Sequence, residues 1–341
     1  MSEPVERTTI LVLSVDEAHL LAHSLPAAAA QPGVEVVVID NACQDATRTV
    51  AEAHGAHVLG LRERVSYAAA INAGIVATEG DAVLLLNADC VLDPGFLAAA
   101  RPRLQQRDVG SVAPRLLRSS GMEPADRLER LDAVGMVVDR RRKNTLVGHD
   151  EPASQYTQPS EVFGGDGACV LYRRAVLDAC AVGGEVLDED LELWASDVDL
   201  AWRSRLLGWR CIYEPRAVAW HMRFYSPTTR DGLPEAHRRL QFRNRLLMMA
   251  KNDSWADVRG DLHRIAFYEV LALGHVLLRE RHLLRAYGEA LRALPAARSC
   301  RASGRMGSGR RSACARRGEA GGGRTVGRLS PPARSGGSAA R

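Results

Sequence analysis

Two acidic segments lie about a hundred residues apart. The apolar run Leu84-Leu85-Leu86 ends at Asn87-Ala88-Asp89. Ser196-Asp197-Val198-Asp199 opens a second stretch, which passes Trp202, Arg203 and Gly208 and reaches Glu214, Pro215 and His221. A buried strand that stops at an aspartate presents it at the strand's carboxyl edge, where open α/β sheets bind ligands. A second acidic cluster can share that crevice. One carboxylate for a metal and one for a proton is the minimum equipment for displacing a nucleotide from a sugar. Asp89 has no helix to cap, which favours a metal role. A hard cation shared with a diphosphate points to Mg²⁺ or Mn²⁺. Asp93, just before Pro94, reads instead as a helix cap. Asp197 and Asp199 are two apart, so on a helix they point to different faces. Asp197, at the helix start, can face the crevice, while Asp199 is spaced to pair with Arg203. His221 ends a strand and can complete a metal shell. Asp40 closes another strand on the same edge, as an Asx turn or as a partner of a nucleotide base or ribose.

The elements that must position these residues alternate in type. Strand patterns cover residues 9–13, 34–39, 56–59 and 81–87, with helical patterns over 17–30, 45–54, 67–78 and 94–106. Asp16 is placed as an N-cap, and Gly55 and Gly80 as helix stops. This β-α order predicts a parallel sheet with right-handed crossovers, an α/β fold with helices flanking the sheet. Residues 118–162 read as loops with one short strand at 133–139. A strand at 168–172, helices at 174–180 and 197–207, and short strands at 210–213 and 217–220 follow. Helices are expected over 234–251, 255–282 and on to about 293. This divides the chain into a catalytic unit at 1–225, a helical extension at 226–294 and a disordered Arg/Gly-rich tail at 295–341.

The net charge of +4 misleads. Residues 301–341 hold ten Arg and one Glu, so the rest of the chain carries −5. The folded part is mildly acidic, which argues against nucleic-acid binding. Seven scattered cysteines with no C-x-x-C pair argue for reduced thiols in a cytoplasm. No signal peptide and no run of about 18 apolar residues is visible. A basic stretch holds Arg223, Arg230, Arg238, Arg239, Arg243, Arg245 and Lys251. It reads as a solvated face or as a binder of diphosphate or anionic lipid headgroups. The next helix, with Leu262, Ile265, Phe267, Leu271, Leu273, Val276, Leu277 and Leu278, can cover the catalytic unit or lie in a membrane interface.

Taken in order, these segments resemble the family 2 glycosyltransferases of the GT-A (Rossmann-like) fold, especially their rhamnosyltransferase-like members. VVVIDNACQDAT (36–47) is similar to the family's nucleotide loop, VSYAAAINAGI (65–75) to its G-F-A-x-G-x-N-x-G-I segment, and LLLNADCVLDPGF (84–96) to its form of the D-x-D motif. Residues 165–174, Gly183-Gly184, Asp188-Glu189 and DVDLAWRSRLLGWRCIYEP followed by His221 resemble its later motifs. The resemblance covers about residues 8–255. It implies that Ser14, Val15 and Asp16 lie against the nucleotide, joined by Asp40, Asn72 and Asn87. It implies that Asp89 and His221 hold the metal and that Asp197 is the base that deprotonates the acceptor hydroxyl. Asp166, Trp194 and Arg203 are the acceptor-side candidates. The activity so implied is inverting transfer of a sugar, with dTDP-L-rhamnose the leading donor and UDP-sugars next. The acceptor is a surface glycan or a polyprenyl-diphosphate-linked glycan, reached in the cytoplasm or at the inner face of the cell membrane. The chain departs from the pattern at Ser14-Val15-Asp16 and at Ser196, which stands where the family has a glutamate. Ser196 can hold Asp197 by a hydrogen bond but cannot raise its pKa by like-charge repulsion. The processive Q-x-x-R-W motif is absent, which favours one sugar per encounter. Two other classes compete. A nucleotidyltransferase would want a Gly-rich phosphate loop after the first strand, which residues 14–21 lack. A non-catalytic scaffold is kept open by Ser196.

Overall fold

The computed structural model describes residues 7–223 and 232–307. Strands β1 (Thr8–Ser14), β2 (Val34–Asp40), β3 (His57–Gly60) and β4 (Ala82–Asn87) alternate with helices α1 (Ala18–Ala29), α2 (Thr47–Ala53) and α3 (Tyr67–Val76). Strand β5 (Cys90–Leu92), helix α4 (Phe96–Leu104) and the long β6 (Val109–Ser119) follow. Then come β7 (Arg127–Ala133), β8 (Met136–Val138), β9 (Asn144–Leu146), β10 (Ser160–Val162) and β11 (Cys169–Arg173). Helices α5 (Arg174–Cys180) and α6 (Ser196–Leu206) lead to β12 (Arg210–His221). The chain ends in α7 (Glu235–Asn252), α8 (Trp255–Leu278) and α9 (Leu284–Gly307). The sheet runs β10-β12-β6-β11-β4-β1-β2-β3, with β5 added on β12 and β7 on β6. The four strands from β3 to β4 are mutually parallel, β11 opposes both its neighbours, and β12 runs parallel to β6.

Strand period explains the layers. Ile10 and Val12 of β1 join one core cluster with Val36, Val38, Leu84 and Leu86, against Leu21 and Leu25 of α1 and Phe96 and Leu97 of α4. Leu11 faces the other way, with Val37, Ile39, Val83 and Leu85, against Ile71 of α3, Val176 and Leu177 of α5 and Leu200 of α6. Successive side chains of a strand buried on both sides must alternate between two cores, so the run is apolar throughout. Gly74 lets α3 press onto the sheet, since a Cβ there would come within 2.5 Å of Ile39 Cδ1.

Several local expectations change. Helix α1 starts at Ala18, and Asp16 is not its cap but a left-handed residue with φ of 61°. Residues 210–221 form one strand, bent by a register shift between Glu214 and Val218, instead of two. The region 118–162 contains four strands in place of one. Helix α9 continues through Pro295 to Gly307, and the remaining residues, 308–341, lie outside the described part. The basic stretch is neither a solvated face nor a free anion site among the described residues. Arg238 pairs with Glu280, Arg239 with Glu289, Arg243 with Glu192, Arg245 with Glu269, and Lys251 with Asp188 and Asp199. Arg230 lies outside the described residues. The pairs of Arg243 and Lys251 fasten the helical extension to the α/β unit, and the other three tie the helices of the extension to one another.

The tightest of these fastenings centres on Asp199. It is fully buried, and its Oδ2 takes Arg203 at 2.8 Å and Lys251 at 3.0 Å while its Oδ1 takes Asn252 at 2.6 Å. Asp199→Ala would leave the buried Arg203 without its carboxylate and Lys251 with Asp188 alone. Urea unfolding is expected to show a loss of roughly 3–5 kcal/mol, far above that of an exposed ion pair.

Candidate active site

Register decides which residues meet. Ser14 is level with Asp40, and Leu13 with Asn87, so β1, β2 and β4 end together. Strand β11 runs the opposite way beside β4, so the turn before it reaches the same edge, and Asn87 N donates to Ala168 O at 2.8 Å. Strand β12 pairs His221 with Cys90, which brings the ring beside Asp89.

Asp89 Oδ1 lies 3.3 Å from His221 Nε2. The other ring nitrogen, Nδ1, is 2.8 Å from Asp132 Oδ2 on the buried end of β7. Arg223 then clamps two carboxylates, with Nε at 2.8 Å from Asp132 Oδ1 and an Nη at 2.5 Å from Asp166 Oδ2. Burial opposes a charge on His221, but Asp89 and Asp132 push its basicity well above the ordinary value. Burial alone would raise the Asp132 carboxyl. The hydrogen bond from His221 and the charge of Arg223 hold it well below the usual range.

Asp197 is half-buried at the first turn of α6. Its Oδ2 accepts from Gly167 N at 3.1 Å and its Oδ1 from Val198 N at 2.8 Å. Burial, and then the charge of Asp166, push its pKa up to about 6. The like-charge partner missing at Ser196 is therefore supplied from another part of the chain. Ser196 does not hold Asp197, because its buried hydroxyl makes no hydrogen bond. Tyr67 lies close to the same pair. Burial, Asp197 and Asp166 all raise its hydroxyl, which keeps it protonated. The turn before α6 is strained, with Glu192, Trp194 and Ala195 all at positive φ. Asn244 Nδ2 holds that turn through the carbonyls of Leu191, Leu193 and Trp194. Left-handed backbone at three non-glycine residues persists only where the surroundings enforce it, and such strain gathers at functional sites.

The nucleotide-side candidates divide. The Ser14 hydroxyl is buried against Thr47 Oγ1 at 2.9 Å, and Val15 is exposed. Asp16 accepts from Arg64 and from Gln44 N, each at 2.6 Å. Asp40 Oδ1 accepts from Cys43 N, three residues on, at 2.8 Å, while Oδ2 faces Arg48 at 3.8 Å. The Asn72 amide is spent on Leu187 and Glu189, so it anchors the 187–189 segment. On the acceptor side, Asp166 stands beside Asp197, and the indole nitrogen of Trp194 is buried without a partner. Arg203 does not reach the crevice: it is buried on Asp199, Cys180 O and Val186 O.

Sequence reasoning missed Asp132, Tyr67 and Glu17. Glu17, half-buried beside the strand ends, is raised to about 7 by burial and by the charges of Asp89, Asp45 and Asp16. So many carboxylates on one edge call for a cation. Asp16, Cys43 and Asp45 form one candidate metal-binding cluster, with ligand atoms within 4.8 Å of one another. Its atoms are already used, since Asp16 holds Arg64 and Asp45 accepts from the first amides of α1 and α2. Asp89 and His221 make the better donor pair. Asp132 takes Nδ1 and turns Nε2 toward Asp89, the usual support for a metal-binding histidine. A mixed oxygen and imidazole set suits Mn²⁺ more than Mg²⁺.

The family described as glycosyltransferase like family 2 matches residues 5–244. That is more than half of the chain, and the chain belongs to this family. Uncharacterized glycosyltransferases of Mycobacterium tuberculosis and Mycobacterium bovis are 41% identical over 76 residues, 22% of this chain. The chain spans only 34% of the length of those relatives. Among solved structures, S. aureus TarS in complex with UDP-GlcNAc superposes with a TM-score of 0.58 at 16% identity, over 89% of this chain and 92% of that one. A mannosyltransferase of Pyrobaculum calidifontis, in complex with GDP-Man and Mn²⁺, gives 0.50 at 20% identity, over 89% and 80%. At these identities the likeness establishes the shared fold.

A raised aspartate weakens the folded state once ionised. Its stabilising contribution is complete below the unfolded pKa of about 3.9 and is lost as pH rises through about 6. Asp197→Asn removes this loss. The gap in thermal midpoint, mutant minus wild type, is expected to widen between pH 4 and pH 7 in calorimetric scans. A gap independent of pH would mean that Asp197 titrates normally.

Proposed function

We propose that the chain catalyses inverting, metal-dependent transfer of a sugar from a nucleoside-diphosphate donor to a hydroxyl of a glycan or polyprenyl-diphosphate-linked acceptor. The observation that carries this reading is the continuous set of contacts Asp89–His221–Asp132–Arg223–Asp166, which ends beside the raised carboxylate of Asp197. That set supports reading Asp89 and His221 as a cation-binding pair and Asp197 as a proton acceptor on a family 2 glycosyltransferase fold.

In this reading the acceptor oxygen attacks the anomeric carbon while the bond to the diphosphate breaks on the opposite face. The hydroxyl proton passes to the Asp197 carboxylate. A pKa of about 6 leaves that carboxylate mostly ionised at neutral pH, yet a stronger base than a free aspartate. Gly167 N and Val198 N aim its two oxygens. A divalent cation held by Asp89 and His221 would neutralise the departing diphosphate. The Mn²⁺ named with the Pyrobaculum mannosyltransferase supports that choice. The GDP-Man and UDP-GlcNAc bound by the two solved relatives differ, so the donor must be found by a panel. The resemblance to rhamnosyltransferase-like members puts dTDP-L-rhamnose first on it.

Calorimetry with UDP, dTDP and GDP, each with Mn²⁺ or EDTA, tests the donor site. One nucleotide is expected to bind only with the metal and to lose that binding in Asp89→Ala. Folded protein that binds none of the three would leave the scaffold reading standing. Asp197→Asn is expected to keep nucleotide binding but to slow transfer by roughly 10²–10⁴-fold, the usual contribution of a general base.

A further inference from the structure

Helix α8 is turned inside out. Its inward side carries Ile265 and Val276 together with ion pairs: Asp261 takes Arg140 at 2.6 Å and Arg142 at 3.0 Å, and Glu269 takes Arg245 at 2.5 Å. Its outward side is apolar. Trp255 is 72% exposed, Phe267 66%, Val270 68%, Leu271 57% and Leu278 81%. At 100° per residue these positions, with Leu262, Leu273 and Leu277, sweep about half of the helix circumference. A helix at the surface of a globular unit normally buries that stripe and shows its charges to water. An exposed contiguous stripe of this size marks an interaction surface.

We propose that the outer face of α8 docks onto an anionic lipid bilayer, lying in the boundary between headgroups and acyl chains. Charge decides in favour of this occupant. Arg259, which lies within the apolar arc, and Arg279, just past the helix end, have no acidic partner among the described residues. The acidic residues of α8 are all turned away: Asp261 and Glu269 are paired inward, and Asp257 is engaged by Ser254. A shallow cleft beside the stripe is lined by Asp139, Arg140, Arg141, Arg264 and Phe267, its guanidinium groups paired with Asp139 and Asp261. A second copy seated on the same face would set cations against cations, because a twofold interface pairs one patch with itself. Anionic headgroups neutralise each of them. Among the described residues no helix is long and apolar enough to cross a membrane, so the contact is in-plane. The proposal does not depend on the catalytic reading, although it would bring the crevice to lipid-linked acceptors.

The test is cosedimentation of the full chain with vesicles of phosphatidylcholine alone, or with about one third phosphatidylglycerol. Binding is expected on the phosphatidylglycerol vesicles, with a loss as salt rises. The triple variant Phe267→Ser, Leu271→Ser, Leu278→Ser is expected to bind at least roughly ten-fold more weakly, with an unchanged circular dichroism spectrum and thermal midpoint. Arg259→Gln with Arg279→Gln is expected to lower binding roughly five-fold per arginine. Unchanged vesicle binding by the serine variant would assign the contact to the Arg-rich remainder and overturn the proposal. So would a wild-type chain that ignores both vesicles, or one that dimerises through these residues in equilibrium sedimentation.

Discussion

Arg223 sits between two carboxylates that could not otherwise share a buried space. Asp132 is wholly buried and Asp166 nearly so, and the guanidinium spans both. Ionised carboxylates out of water cost several kcal/mol each unless they are paired and hydrogen-bonded. With Arg223 in place, Asp132 stays charged and can orient His221, and Asp166 stays close enough to press on Asp197. One cation therefore joins the Asp89–His221 side of the site to the Asp197 side. The residue comes two positions after the last strand ends, so the strand, the histidine and the clamp arrive as one unit.

The sheet supplies the frame for this network. Parallel strands from β3 to β4 end at one level, and the antiparallel β11 then delivers its leading turn, with Asp166 and Gly167, to that same edge. A parallel strand in that position would have sent the turn to the far side. The reversal is what sets Asp166 beside Asp197. On the other flank the helical extension is held by buried ion pairs around Asp199 and Lys251 and around Arg142, together with apolar packing of Met248 against Val198 and Trp202 and of Leu247 against Leu191. Such pairs are weak sources of net stability but define one arrangement, because any misplacement leaves a buried charge alone.

Much of this was legible in the residues themselves. Strands ending at Ser14, Asp40 and Asn87 followed from apolar runs that stop at polar residues, and the pairing of Asp199 with Arg203 followed from helical spacing. Asp132 was not legible. It lies in Arg-Leu-Glu-Arg-Leu-Asp-Ala, a charged stretch without strand alternation, and becomes buried only because β7 folds back on β6. Asn72 and Arg203 sit within segments that resemble the family's motifs, yet their side chains are consumed in holding neighbouring segments. A polar residue that binds a ligand and one that satisfies a buried carbonyl leave the same mark in a sequence.

The sequence by itself determined the period of the strands, the order of helices and strands, and so the edge on which acidic residues must collect. Those are local properties, set by side-chain alternation and by chain direction. Only the tertiary structure decided which carboxylate tunes which. Asp166 and Asp197 are thirty-one positions apart, Asp89 comes from the turn between β4 and β5, and Asp132 and His221 come from two further strands. The electrostatic energy between them depends on a few ångströms of separation and on the exclusion of water, and neither exists until the sheet has closed around them.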